Sequence, residues 1–167
     1  MFRGYSRWQA IDAALAPGWR DVADSSRISA PPRLAPAIVH GDFRLGNLLA
    51  VGDRITAVID WEIWSIGDPR VDAGWFLINC DPGTYRRFTR YAAAAPSLRE
   101  LATLYRQELG SDVPEFEWFC ALACFKSTAT WSLIVKHNRR RSTPDPELEA
   151  MAATLPRLLS RARELLA

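Results

Sequence analysis

Apolar residues fall in two regimes along this chain. Up to about residue 60 they come in short bursts between turn formers, and from about residue 97 they recur every three or four positions. The first regime predicts short strands with connectors and the second predicts helices. Near the start, Ser6 and Gln9 have capping-box spacing and open a predicted helix in which Trp8, Ile11 and Leu15 share a face. The stretch SSRISAPPRLAPA (25–37) is rich in Pro and Ser and predicts a connector without helix. Three beta-like runs follow, AIV, LLAV and ITAVID, with Gly52-Asp53 as a hairpin turn between the last two. Ser97 and Glu100 repeat the capping-box spacing ahead of Leu98, Leu101, Tyr105 and Leu109, and Gly110 is the expected stop. Pro114 opens a long apolar helix, and Asp145-Pro146 opens a last one with Leu148, Met151, Leu155, Leu158, Ala162 and Leu165 on one stripe. Pro156 is expected to kink it. The pattern predicts one domain over residues 1–167, mostly α with a small β hairpin (α+β).

Composition narrows the class. At 167 residues, with 49% hydrophobic and 24% charged positions, the chain can bury a sizeable core. A formal net charge of +2 is too small to imply a nucleic-acid or anionic-membrane partner. Cys120 and Cys124 fall in the apolar helical stretch and read as buried thiols in a reducing compartment, and with only His40 and His137 there is no zinc spacing. The N-terminus MFRGYSRWQA lacks the apolar core of a signal peptide, so a cytoplasmic location is expected. Trp118–Val135 is barely long enough to span a bilayer and carries Lys126 near its middle, which costs about 3 kcal/mol there. A buried helix in a soluble core is the better reading. The basic end of that helix, KHNRRR, reads as a solvated C-terminus rather than a phosphate contact.

The chemistry concentrates in IVHGDFRLGNLL (38–49). His40, Asp42 and Asn47 fit the H-x-D-x-x-x-x-N spacing of a kinase catalytic loop, where the aspartate accepts the proton of the attacking hydroxyl and the asparagine oxygen binds magnesium. Asp60 closes the strand ITAVID, and a hairpin would fold it back beside Asn47 as the second magnesium ligand. Each residue has a plainer reading: Asp42 as a turn residue, Asn47 as a loop cap, Asp60 as a strand-end cap and His40 as an orienting hydrogen bonder. Their joint occurrence at this spacing favours a metal-phosphate site. Gly41 and Gly46 give half of a P-loop, but Asn47-Leu48 follow where Lys and Ser/Thr are needed, and that reading fails.

The segment IVHGDFRLGNLLAVGDRITAVIDWEIWSIGDPRVDAGWF (38–76) resembles the catalytic core of the aminoglycoside phosphotransferase family, which has a protein-kinase-like fold. It is most similar to the kinase-like domains fused to acyl-CoA dehydrogenases, whose loops resemble HGDFRLGN and DWE, and EWFCALACFK in the late helix shares that likeness. The resemblance implies Asp42 as catalytic base, Asn47 and Asp60 as magnesium ligands, and Asp72 as a brace for the loop at a helix start. Arg44 and Glu62 match the subgroup's pattern as site support. ATP is the implied phosphate donor and a small-molecule hydroxyl the acceptor; nothing in the charge balance argues for a polycationic aminoglycoside.

Family members also carry an N-terminal β lobe with a phosphate-holding lysine. Only 39 residues precede His40, too few for such a sheet, and the two lysines, Lys126 and Lys136, fall in the late helix. The expectation is therefore the C-terminal lobe of a kinase-like fold with its N-terminal β lobe missing, inactive alone, whether by natural truncation, a mis-called start or fragmentation. The competing expectation is a non-catalytic kinase-like remnant that binds a ligand or partner. Exposed apolar surface from ITAVID and DWEIWSIGD, with Trp61 and Trp64, predicts self-association.

Overall fold

The computed structural model describes residues 11–85, 96–109 and 114–167. In chain order these form α1 (Trp19–Ile28), β1 (Ala37–Val39), a 3-10 turn (Leu45–Asn47), β2 (Leu48–Val51), β3 (Arg54–Val58) and β4 (Ser65–Gly67). Helices follow: α2 (Arg70–Cys80), the short α3 (Pro82–Tyr85), α4 (Leu98–Leu109), α5 (Phe116–Asn138), α6 (Pro146–Ala150), a 3-10 turn (Met151–Thr154) and α7 (Leu155–Leu166). The chain is mostly α with small antiparallel β elements, as the sequence predicts. Two compact units divide the chain, residues 1–30 with 124–167 and residues 31–123.

In the first unit, Ser6, Gln9 and Trp8 of the predicted opening helix lie outside the described residues. Ile11 and Leu15 are buried, and neither lies in a helix: Leu15 is in a turn and Ile11 in the irregular chain before it. The Asp12 carbonyl accepts from the N–H groups of Leu15 (3.0 Å) and Ala16 (2.9 Å), and Pro17-Gly18 then redirects the chain with Gly18 at φ 75. The helix begins after this break and runs to Ile28, into the stretch expected to hold none. Its serines do not stop it: the hydroxyls of Ser26 and Ser29 donate back to the carbonyls of Val22 (2.7 Å) and Ser25 (2.9 Å). Only the prolines from Pro31 onward bar further helix.

The same unit buries Phe125, Ala129 and Val135 of α5 and Leu155, Leu158, Leu159 and Ala162 of α7. Each fully buried Leu or Phe contributes about 1.5–3 kcal/mol. Asp145 caps α6 by accepting from the Glu147 N–H at 2.8 Å, where the sequence places the helix start. The predicted kink is a break instead. A 3-10 turn ends the first segment and α7 restarts at Leu155, so Pro156 occupies a first turn, where its missing N–H leaves no hydrogen bond unmade. The basic end of α5 is tied locally, with Arg139 pairing with Glu149 (2.6 Å) and Asn138 exchanging two hydrogen bonds with the Asp145 backbone.

In the second unit, β2 and β3 form the predicted hairpin across Gly52-Asp53, pairing Leu48 with Val58 and Val51 with Arg54. Gly52 takes φ 61, a conformation that glycine adopts without strain. The strand ends at Val58, short of Asp60, which was expected to close it. An unpredicted strand, β4, emerges from DWEIWSIGD and pairs antiparallel with β1, setting Ile38 opposite Ile66. The second capping box forms as read: Glu100 N–H donates to Ser97 Oγ (3.2 Å) and Ser97 N–H to Glu100 Oε2 (2.8 Å). Gly110 lies outside the described residues.

Helix α2 is anchored at its start by a buried ion pair. Asp68 accepts from Arg70 at 2.7 Å, and Arg70, only 2% exposed, also donates to the carbonyls of Pro32 (2.6 Å) and Pro114 (3.2 Å) and lies over the Phe119 ring. Cys120 and Cys124 are buried thiols. By length and composition α5 could cross a membrane, and 61% of its most apolar window is buried.

Candidate active site

The loop after β1 is built on backbone constraints. Gly41 has φ 87, and a Cβ there would lie 2.8 Å from the Ile63 carbonyl oxygen, so only glycine fits. Asp72, in the first turn of α2, accepts from the backbone N–H groups of His40 and Gly41, the latter at 2.8 Å. Buried N–H groups in an irregular loop need such acceptors. His40 is 2% exposed; its Nδ1 accepts from the Asp42 N–H (3.2 Å), which leaves Nε2 to donate to the Ile59 carbonyl (2.9 Å). Trp61 stacks against the same ring, with centroids 4.5 Å apart.

Asp42 points into a ring of donors. Its Oδ1 accepts from Trp75 Nε1 (2.8 Å), and its Oδ2 accepts from Arg44 Nε (3.0 Å) and Asn47 Nδ2 (3.0 Å). Burial raises the carboxyl pKa, but hydrogen bonds from Arg44, Trp75 and Asn47 outweigh it and hold Asp42 below its ordinary value. Asn47, buried at the end of the 3-10 turn, donates through the same amide nitrogen to the Asp42 carbonyl (2.8 Å). Its amide hydrogens are thereby directed at Asp42, and its Oδ1 faces the other way.

Asn47 and Asp60 lie just beyond the paired ends of β2 and β3. The Asn47 carbonyl accepts from the Ile59 N–H at 2.9 Å, which extends the β2–β3 pairing by a rung and leaves Asp60 next in line. Asp60 is exposed and left-handed, with φ 69. Glu62 is exposed in the turn that follows, which the Trp64 N–H closes onto the Trp61 carbonyl (3.1 Å). Among the described residues no three His, Cys, Asp or Glu side chains cluster as a metal site. One amide oxygen and one carboxylate are instead the hard, sparse donor set that suits magnesium sharing its shell with phosphates and water. Beside Asp72, a cavity of about 510 Å³ is lined by Phe43, Trp61, Phe76, Leu101 and Tyr105. Burial, and then the Asp72 charge, push the Tyr105 hydroxyl pKa up.

Residues 2–104 match the family model described as the phosphotransferase enzyme family, which is more than half of the chain. The chain belongs to that family. It is 35% identical over 98 residues to acyl-CoA dehydrogenase family member 11 of Homo sapiens, covering 53% of this chain and 13% of that protein. It is also 32% identical over 102 residues to the Pongo abelii protein of the same name, with the same two coverages. Family member 10 of Mus musculus is 30% identical over 71 residues, covering 41% of this chain and 7% of that protein. The chain thus spans a small part of the length of these relatives.

Two features of this phosphotransferase-family site escape a reading of the catalytic loop alone. Trp75 binds Asp42 directly. A signal existed, because Trp75 follows Asp72 by nearly one helical turn and so shares its face. The other is the contact of Gly41 with the Ile63 carbonyl. It depends on β4 pairing with β1, and no local pattern in DWEIWSIGD shows that pairing.

Proposed function

We propose that this chain carries the base and the metal ligands of an ATP- and magnesium-dependent phosphotransferase acting on the hydroxyl of a small molecule. The observation that carries the reading is the loop itself. One helix-borne carboxylate, Asp72, braces its backbone, Asp42 projects from it, and Asn47 is tied to Asp42 on one side and to the strand leading into Asp60 on the other. Asn47 Oδ1 and the Asp60 carboxylate would hold the magnesium, which when bound supplies charge neutralisation at the phosphates. Asp42 orients the acceptor hydroxyl and takes its proton. A carboxylate held below its ordinary pKa is a weak base, which suits a loose transition state in which the proton leaves late. A cytoplasmic location, and the absence of nucleic-acid and membrane partners, belong to the same proposal.

A non-catalytic ligand-binding lobe is the second reading, and the Arg44–Asp42 ion pair favours it, because it occupies an oxygen of the base. Titrating Mg-ATP into the wild type, Asp42→Ala and Asp60→Ala separates the two, with turnover measured after a nucleotide-binding N-terminal lobe has been supplied. The phosphotransferase reading expects Asp60→Ala to abolish magnesium-dependent binding. It expects Asp42→Ala to remove turnover while leaving nucleotide affinity nearly unchanged. Equal, mild effects from both substitutions would reject it, and binding without turnover would favour the second reading.

A further inference from the structure

The donors around Asp42 are unequally shared. A carboxylate oxygen offers two lone-pair directions. Those of Oδ2 are both taken, by Arg44 and Asn47, whereas among the described residues Oδ1 accepts a hydrogen bond from Trp75 alone. An incoming hydroxyl can therefore meet only the remaining direction of Oδ1. That direction is set by the indole, which is 9% exposed and fixed on α2 beside Asp72. We infer that Trp75 is a positioning residue whose indole N–H holds Oδ1 of Asp42 as the oxygen that receives the acceptor hydroxyl.

The inference rests on the phosphotransferase reading. In that reaction the acceptor oxygen bonds to the γ-phosphorus as the bond from that phosphorus to the β–γ bridging oxygen breaks. ADP departs with the bond's electron pair, and the acceptor's proton passes to Oδ1. Trp75 touches none of the reacting atoms and acts only through the orientation of Asp42.

The contact can be tested without turnover. In 15N-labelled protein, the indole N–H of Trp75 is identified by its loss in Trp75→Phe. The inference expects Asp42→Ala to move that resonance upfield and speed its solvent exchange about tenfold or more, while Leu101→Ala leaves it in place. An indole signal indifferent to Asp42→Ala overturns the inference. Turnover is then read as Mg-ATP hydrolysis, with water as the acceptor, after a nucleotide-binding N-terminal lobe has been supplied to the chain. Trp75→Phe should lower kcat on the order of tenfold to a hundredfold, with the KM for Mg-ATP within about twofold. A drop in KM-limited binding with kcat unchanged would show a structural role and overturn it too. A wild type that neither binds nor hydrolyses Mg-ATP even with that lobe supplied rejects the phosphotransferase reading, and any positioning role with it; the indole signal still decides the contact by itself.

Discussion

Gly74 of α2 lies against the Phe119 backbone of α5, and alanine there tests how tightly the site's helix is seated. A Cβ at this position would lie 2.5 Å from the Phe119 carbonyl oxygen, 2.6 Å from its carbon and 2.9 Å from its Cβ. The first of these is roughly 1 Å short of an ordinary C···O contact. All three neighbours are backbone or Cβ atoms, which no rotamer change can move, so the two helices must separate. Overpacking of this kind costs about 1–3 kcal/mol. Alanine returns about 1 kcal/mol of helix propensity over glycine. With rigid neighbours the upper part of the range applies, and the net loss is about 1–2 kcal/mol. For a chain of this size that is a fall in Tm of roughly 2–8 °C. Urea denaturation followed by circular dichroism measures it, with an unchanged slope expected. A Gly74→Ala protein as stable as the wild type, or more so, would show that α2 does not rest on the Phe119 backbone.

Three further outcomes follow from the same contacts. Asp72→Ala leaves the N–H groups of His40 and Gly41 without their acceptor, at about 1–3 kcal/mol for each, and Asp72→Asn, keeping one acceptor oxygen, should lose about half as much; chemical denaturation showing Asp72→Ala equal to the wild type would contradict this. For Asp68, burial raises the pKa, but hydrogen bonds from Arg70 and the Leu34 and Arg70 backbones outweigh it, so the folded value lies below the ordinary 3.8. Its stabilisation is therefore complete above that value and lost as the pH falls through the folded pKa; acid titration of stability should flatten there in Asp68→Asn, and an unchanged profile would exclude the pair as a source. The exposed pair Ile38 and Ile66, at 64% each, and Trp64, at 57%, support the self-association proposed from the sequence; sedimentation should show association in the micromolar range, weakened by Trp64→Ser, and a monomer throughout would reject it.

What the sequence disclosed was whatever depends on neighbours along the chain. The hairpin at Gly52-Asp53, the Ser97–Glu100 box and the Asp145 cap are each complete within a few residues, and each forms where it was read. The loop from His40 to Asn47 was legible for the same reason, its polar residues standing at fixed spacing between apolar runs. Composition misled where local hydrogen bonding overrode it. Ser25 and Ser26 read as connector residues, yet α1 runs through both because serine hydroxyls can bond within a helix as well as break it. Ile11 and Leu15 kept the predicted burial but neither lies in a helix, and the start of the predicted opening helix falls outside the described residues. Strand β4 depends on a partner some thirty residues away, and the short run Ser65–Gly67 has no periodicity to announce it.

The geometry at Asp60 shows why the loop begins with a histidine. A left-handed aspartate costs about 1–2 kcal/mol relative to its relaxed conformation, and such a residue persists only where its flanks are over-determined. Here they are. The Ile59 N–H donates to the Asn47 carbonyl, the Ile59 carbonyl accepts from the His40 ring, and Trp61 lies on that ring while its indole donates to the Val58 carbonyl at 2.8 Å. The same imidazole accepts from the Asp42 N–H through its other nitrogen, and the His40 backbone N–H is held by Asp72. Asp42 and Asp60 come from different elements, but both are referenced to one buried ring. A proton donor or acceptor in the reaction would have to leave these partners, whereas a spacer between base and metal ligand must keep them. If Asp42 and Asp60 take the roles proposed above, His40 is the buried spacer that both loops share rather than a proton carrier.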